Sequence, residues 1–156
     1  MQTTTERSTR DAAFTVSRVV HMLRTLSPDM PMQQADVLLH IALHPGITMA
    51  EITKRTGLSQ SSVSRNVSAM SKFHRLGKPG LDLVEAAIDP REPRRRLVFL
   101  TQNGKLFITK LLRMVDENFS IDRETDARVE IERMHEEARA KEEESTSTRG
   151  RAKKPV

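Results

Sequence analysis

Between residues 11 and 26 the apolar positions Ala12, Val16, Val19, Leu23 and Leu26 alternate between spacings of four and three, which lines one face of a helix. Ser27, Pro28, Asp29, Met30 and Pro31 end it, because proline cannot continue a helix and restricts the residue before it. A second helix fits residues 32–44, with Val37, Leu38 and Ile41 inward, and His44, Pro45 and Gly46 close it. Residues 1–10 are polar and are expected to form a flexible N-terminus.

The stretch TMAEITKRTGLSQSSVSRNVSAM, residues 48–70, repeats the period twice with a break between. Thr48 is a candidate N-cap with Glu51 three residues on, the pattern of a capping box. A short helix over 49–56 then meets Gly57, which tolerates the left-handed conformation of a tight turn. Ser59 caps a further helix that runs to about Phe73, and Leu58 can pack between the two. Helix, glycine-containing turn, helix is the helix-turn-helix pattern.

The second of these helices separates into faces. Val63, Val67 and Met70 are spaced for a core, whereas Gln60, Ser61, Ser64, Arg65 and Ser68 share another side. Serine is a poor choice for an ordinary solvated helix face, because its hydroxyl competes with the backbone. Six serines between Ser59 and Ser71 therefore ask for another reason. Small polar side chains let a helix approach base edges in a major groove, where Gln and Arg can bind bidentately. Gln60, Ser61, Ser64 and Arg65 are the expected base readers. Ser59, at the helix N-terminus, is an expected phosphate contact together with Lys54, Arg55, Ser68 and Lys72.

After a Gly- and Pro-containing loop at 77–80, two strand-like segments, 83–88 and 95–100, flank DPREPRR, whose prolines and charges suit a hairpin tip. Arg91, Arg94, Arg95 and Arg96 gather at or near this tip, and a narrow minor groove attracts such arginines. Asp89 and Glu92 are placed to pair with some of them and stiffen the loop. Thr101 caps a strong helix carrying Leu106, Leu111, Leu112 and Val115. A weaker one, about 125–141, carries Ala127, Ile131, Met134 and Ala138. From Glu142 the chain is low-complexity and polar, a tail expected to be disordered with a basic end at 149–154.

Charge sharpens this picture. The chain carries +5 overall, but from Lys54 to Arg113 there are 13 Lys and Arg against 4 Asp and Glu, and between Asp116 and Glu144 there are 12 acids against 5 bases. A basic middle concentrates polyanions by attraction and counterion release. With no cysteine, disulfides and thiolate chemistry are excluded. No apolar run approaches membrane-spanning length and the N-terminus lacks a signal-peptide core, so a soluble cytoplasmic protein, associated with a prokaryotic nucleoid, is expected.

The order helix, helix, helix-turn-helix, arginine-tipped hairpin, helix resembles the MarR family of winged helix-turn-helix transcription regulators. MAEITKRTGLSQSSVSRNVSAM is similar to that family's helix-turn-helix, and LVEAAIDPREPRRRLVFLTQNGK to its wing and following helix, with the LT..G sequence the family shows. The resemblance spans about residues 12–119. It implies a mainly α fold with a small β-hairpin wing, flanked by N- and C-terminal dimerisation helices. It further implies a homodimer on a pseudo-palindromic double-stranded operator, with the recognition helix in the major groove. Asp89 would brace the wing, and Arg91, Arg94 and Arg95 would serve the minor groove. A repressor that occludes a promoter is the function expected from it. Three departures stand out: the link KFHRLGKPGLDL is longer than usual, Glu92 stands where the family often has Asp, and the C-terminal segment is short and highly charged. Many members bind aromatic acids, but the sequence singles out no pocket residues for such an effector.

The chain is expected to divide into residues 1–10, a winged-helix domain with dimerisation helices at 11–120, a charged helix at 121–141 and a tail at 142–156. No cofactor or metal is expected: His40 and His44 lie four apart with Asp36 one turn earlier, but nothing at a suitable spacing completes a site. No phosphate-binding glycine loop or nucleophile elbow is present, and the chain is not expected to be an enzyme. Two other functions fit a winged helix: DNA binding for plasmid or phage replication or partition, and protein interaction. Lys54, Arg55, Arg65 and Lys72 argue against the second.

Overall fold

The structure is a computed structural model that describes residues 2–74, 77–121 and 127–151, with side chains placed from 9 onward except at 127, 128 and 145–151. Helix α1 (Gln2–Leu26) begins well ahead of residue 11. Residues 2–10 contain no Pro or Gly, and a helix nucleated further along extends readily through such a stretch. The expected stripe on α1 is divided: Leu23 is buried and Val19 and Leu26 pack against the core, whereas Ala12 and Val16 stay exposed.

Helix α2 (Met32–Leu43) starts after Pro31, whose extended backbone suits the position before a helix. It buries Val37, Leu38 and Ile41 as the spacing predicts. A two-residue strand, β1 (Ile47–Thr48), follows and leads straight into α3 (Met49–Thr56). Helix α4 (Gln60–Met70) ends three residues before Phe73; the carbonyls of Ala69 and Met70 accept from Leu81 and Leu83, so returning chain caps it. Strands β2 (Val84–Asp89) and β3 (Glu92–Leu100) form the hairpin. The sheet is antiparallel in the order β1-β3-β2, with Ile47 opposite Val98 and Ala86 opposite Val98 on the other side.

The hairpin tip is tighter than the sequence suggested. Only Pro90 and Arg91 form the turn, and β3 already starts at Glu92, with a register irregularity between Ile88 and Asp89. Arg94, Arg95 and Arg96 therefore lie on a strand and not in the turn. Strand β1 was not foreseen, because two residues carry no periodic signal of their own.

Helix α5 (Gln102–Leu112) has Thr101 as its N-cap, the hydroxyl accepting from Gly104 N–H at 3.1 Å and donating to the Asp82 carbonyl at 2.6 Å. Its inward residues are Ile108 and Leu111; Leu106 is exposed, and Val115 lies beyond the helix end and is also exposed. Val37, Leu38, Ile41, Ile52, Val63, Met70, Val98, Ile108 and Leu111 have no exposed surface and form one core beneath α1, α2, α3, α4, α5 and the sheet.

The opposite side of the sheet has its own cover. Helix α6 (Ala127–Arg151) lays Ile131 and Met134 on Leu97 and Phe99. It continues past residue 141, where a disordered tail was expected; Glu, Ala, Lys and Arg predominate up to residue 144 and all favour helix. The start expected at residue 125 and the basic end beyond 151 lie outside the described residues. Among the described residues no helix is long and apolar enough to cross a membrane.

Candidate nucleic-acid interface

Two caps and a left-handed glycine hold α3 and α4 at their angle. The Glu51 carboxylate accepts from Thr48 N–H at 2.9 Å and from the Thr48 hydroxyl at 2.8 Å, while Glu51 N–H donates to that hydroxyl at 3.1 Å, a complete capping box. The backbone and hydroxyl bonds from Thr48 hold the Glu51 carboxyl below its ordinary pKa. Gly57 ends α3 with φ of 70°, and Leu58 then packs against the core from between the helices.

Helix α4 presents the side that the sequence separated. Val63, Val67 and Met70 are buried, and Asn66 is buried beside them. Gln60, Ser61 and Arg65 are exposed, and Ser64 and Ser68 are half-buried. The serines also bond to one another. Ser59 Oγ accepts from Ser62 N–H at 3.2 Å, lies 3.0 Å from the hydroxyls of both Ser61 and Ser62, and Arg65 Nη2 donates to Ser62 Oγ at 3.1 Å. Ser62 thereby links the cap to the one long cation on this face. Sequence reasoning passed over Ser62; its spacing of three from both Ser59 and Arg65 was the available signal. Lys54, Arg55 and Lys72 are exposed, and Lys72 Nζ sits 5.8 Å from the centre of the Phe73 ring.

In the wing, Asp89 has no exposed surface. Its Oδ1 accepts from the Arg91 N–H at 3.0 Å and Arg91 Nε at 3.1 Å, and its Oδ2 accepts from Arg95 Nε at 3.0 Å and Nη2 at 2.7 Å. Burial would raise the pKa of this carboxyl, but the Arg91 N–H and the Arg95 and Arg91 guanidiniums outweigh it and hold it at about 2. Arg95 also pairs with Glu92 at 3.4 Å. Arg91 and Arg95, expected at the minor groove, thus both engage Asp89, whereas Arg94 and Arg96 have no hydrogen bond or ion pair among the described residues.

His40 and His44 stack with ring centres 6.4 Å apart, and His40 Nε2 lies 3.7 Å from Asp36. Among the described residues no three His, Cys, Asp or Glu side chains are grouped to hold a metal ion.

A helix-turn-helix followed by a three-stranded sheet with a protruding hairpin is a winged helix. Residues 29–72 match the model of the MarR family, so the MarR-like helix-turn-helix read from the sequence is borne out over its own residues. Among solved structures, RV1404 from Mycobacterium tuberculosis is similar over 87% of this chain and 79% of its own, with 18% identity and a TM-score of 0.52. The S. aureus MepR–DNA complex is matched at 17% identity over 74% of this chain and 82% of its own, with a TM-score of 0.49. The PcaV transcriptional regulator from Streptomyces coelicolor is matched at 24% identity over 68% and 73%, with a TM-score of 0.47. No curated protein matches the chain.

Proposed function

We propose that this protein is a sequence-specific double-stranded DNA-binding transcription regulator that acts as a homodimer and represses by occluding a promoter. The observation that carries this reading is the exposed side of α4, where a cap-linked serine cluster holds Arg65 among small hydrogen-bonding residues on an otherwise well-anchored helix. Gln60, Ser61, Ser64 and Arg65 read bases in the major groove. Ser59, Lys54, Arg55, Ser68 and Lys72 meet phosphates around them. At the wing Arg94, which has no hydrogen bond or ion pair among the described residues, enters the minor groove, and Arg91 and Arg95 shape the wing around Asp89. The match to the MarR family and the fold likeness to RV1404 agree with this reading.

The test is selection of bound sequences from a random duplex pool at physiological salt. A palindrome with half-sites about one helical turn apart is the expected product. Arg65→Ala should weaken binding to it by about 1–3 kcal/mol and relax preference within each half-site. Recovery of no motif, or an Arg65→Ala protein with unchanged affinity and preference, would sink the assignment of the reading face.

A further inference from the structure

Helix α2 turns Val37, Leu38 and Ile41 into the core and carries Asp36 and His40 on its outer side. His44, directly after its last residue, still belongs to the same winding, because its N–H donates to the His40 carbonyl at 3.1 Å. Asp36, His40 and His44 thus follow one another at intervals of about one helical turn, a spacing that sets side chains next to each other. The two imidazole rings stack, 6.4 Å apart between centres and 15° from parallel.

The His40 ring is one-sided. Its Nδ1 is buried without a hydrogen-bond partner among the described residues, so Nε2, beside the exposed Asp36, is the nitrogen open to an incoming group. Asp36 Oδ1 lies 3.7 Å from that nitrogen, too far for a hydrogen bond. It is close to the separation of about 3.4 Å between two ligands of one tetrahedral ion, each about 2.1 Å from the metal. The His44 ring lies over His40 and does not yet converge on the same point, so the three groups are not gathered around one centre. Rotation about its own side-chain bonds is the movement that brings it there.

We infer that Asp36, His40 and His44 bind a divalent transition-metal ion of the zinc class, with water completing the coordination. Two imidazoles one turn apart on a helix form a chelate suited to zinc, nickel and copper ions. A single carboxylate without further oxygen ligands is a poor match for magnesium or calcium. The site also has a place in the fold. Ile47 N–H donates to the His44 carbonyl at 3.0 Å and Gly46 N–H to the Val98 carbonyl at 3.1 Å, so His44 stands at the joint from which β1 and then α3 begin. An ion that holds His44 against α2 braces the entry to the helix-turn-helix. Neither the reading side of α4 nor the wing arginines take part, so the site does not depend on the DNA-binding reading.

Zinc alone is a sufficient probe, titrated by calorimetry into the full chain carrying no affinity tag. One ion per chain is the expected stoichiometry, with a melting temperature that rises with zinc concentration. His40→Gln and His44→Gln are each expected to abolish saturable binding and the thermal shift, and Asp36→Asn to weaken both. His135→Gln, at an exposed position of α6, is expected to bind like the wild type, which separates this site from capture by any surface histidine. His44 lies past the helix end and outside the core, so His44→Gln decides the matter if His40→Gln fails to fold. No saturable zinc uptake by the wild type, or full uptake by His44→Gln, overturns the site.

Discussion

Asp89 accepts four hydrogen bonds from Arg91 and Arg95 although its own side chain has no exposed surface. A buried carboxylate is tolerated only when its lone pairs are matched in this way, and the guanidiniums reach it from solvent, so removing the acid leaves them hydrated. Asp89→Asn is therefore expected to cost about 2 kcal/mol, close to the value of one or two charge-assisted bonds, as measured by urea denaturation at neutral pH. The pH dependence follows from the direction of the shift. The carboxyl titrates at about 2 in the folded protein against an ordinary 3.8, so its contribution is full above about pH 4 and is lost as pH falls toward 2. The wild type should lose part of its stability across that interval, and Asp89→Asn should lack this component. Equal acid sensitivity in the two proteins would show that the wing pairs contribute nothing to folding.

At the scale of elements, the caps and turns were legible because each is local. Thr48 with Glu51, Gly57, Ser59 and Thr101 all announce themselves within four residues, and each does in the structure what its spacing implied. The pieces that depend on tertiary pairing were not legible. Strand β1 exists only because Ile47 and Thr48 meet Val98 and Leu97, which lie about fifty positions away in sequence. The bonding of Arg95 to Asp89 depends on the irregularity at Ile88 and Asp89, which no run of residue types encodes. Arg96 looked like one more tip arginine until the register placed it opposite Ile88 and beside α4. The LT..G sequence now has a physical reason: Thr101 caps α5, and Gly104 lets that helix pass the preceding loop. A Cβ at Gly104 would lie 2.0 Å from the Leu83 carbonyl oxygen. That carbonyl accepts from Thr101 N–H, so the clash falls on the junction joining α5 to the wing. Gly104→Ala should destabilise by more than about 2 kcal/mol, whereas Gly57→Ala, with open space around it, should cost only about 1 kcal/mol for its left-handed backbone. Chemical denaturation of the two variants decides this, and equal losses would contradict the close approach at Gly104.

Across the whole molecule, the apolar residues left uncovered are unevenly placed. The stripe on α1 docks through Val19, Leu23 and Leu26, yet Val16 on the same stripe is 62% exposed and Phe14 nearby is 67% exposed. Val115, past the end of α5, is 69% exposed. Helix α6 turns Ile131 and Met134 to its own sheet, so those two residues are already covered within one chain. Phe14 and Val16 therefore leave an uncovered apolar patch at the middle of α1. A helix of 25 residues that docks from Val19 onward and leaves Phe14 and Val16 bare is under-satisfied as a monomer, and a second copy placed against its middle would cover them. Light scattering at micromolar concentration should give twice the 17.7 kDa of one chain. Val16→Glu, at a position that touches no core residue, should shift the mass to that of one chain while leaving the melting of the winged helix nearly unchanged. It should also weaken binding to a palindromic duplex far more than to a single half-site, because only the former uses two protomers at once. If the wild type scatters as a single chain, or Val16→Glu remains paired, the middle of α1 is not the surface on which two copies meet.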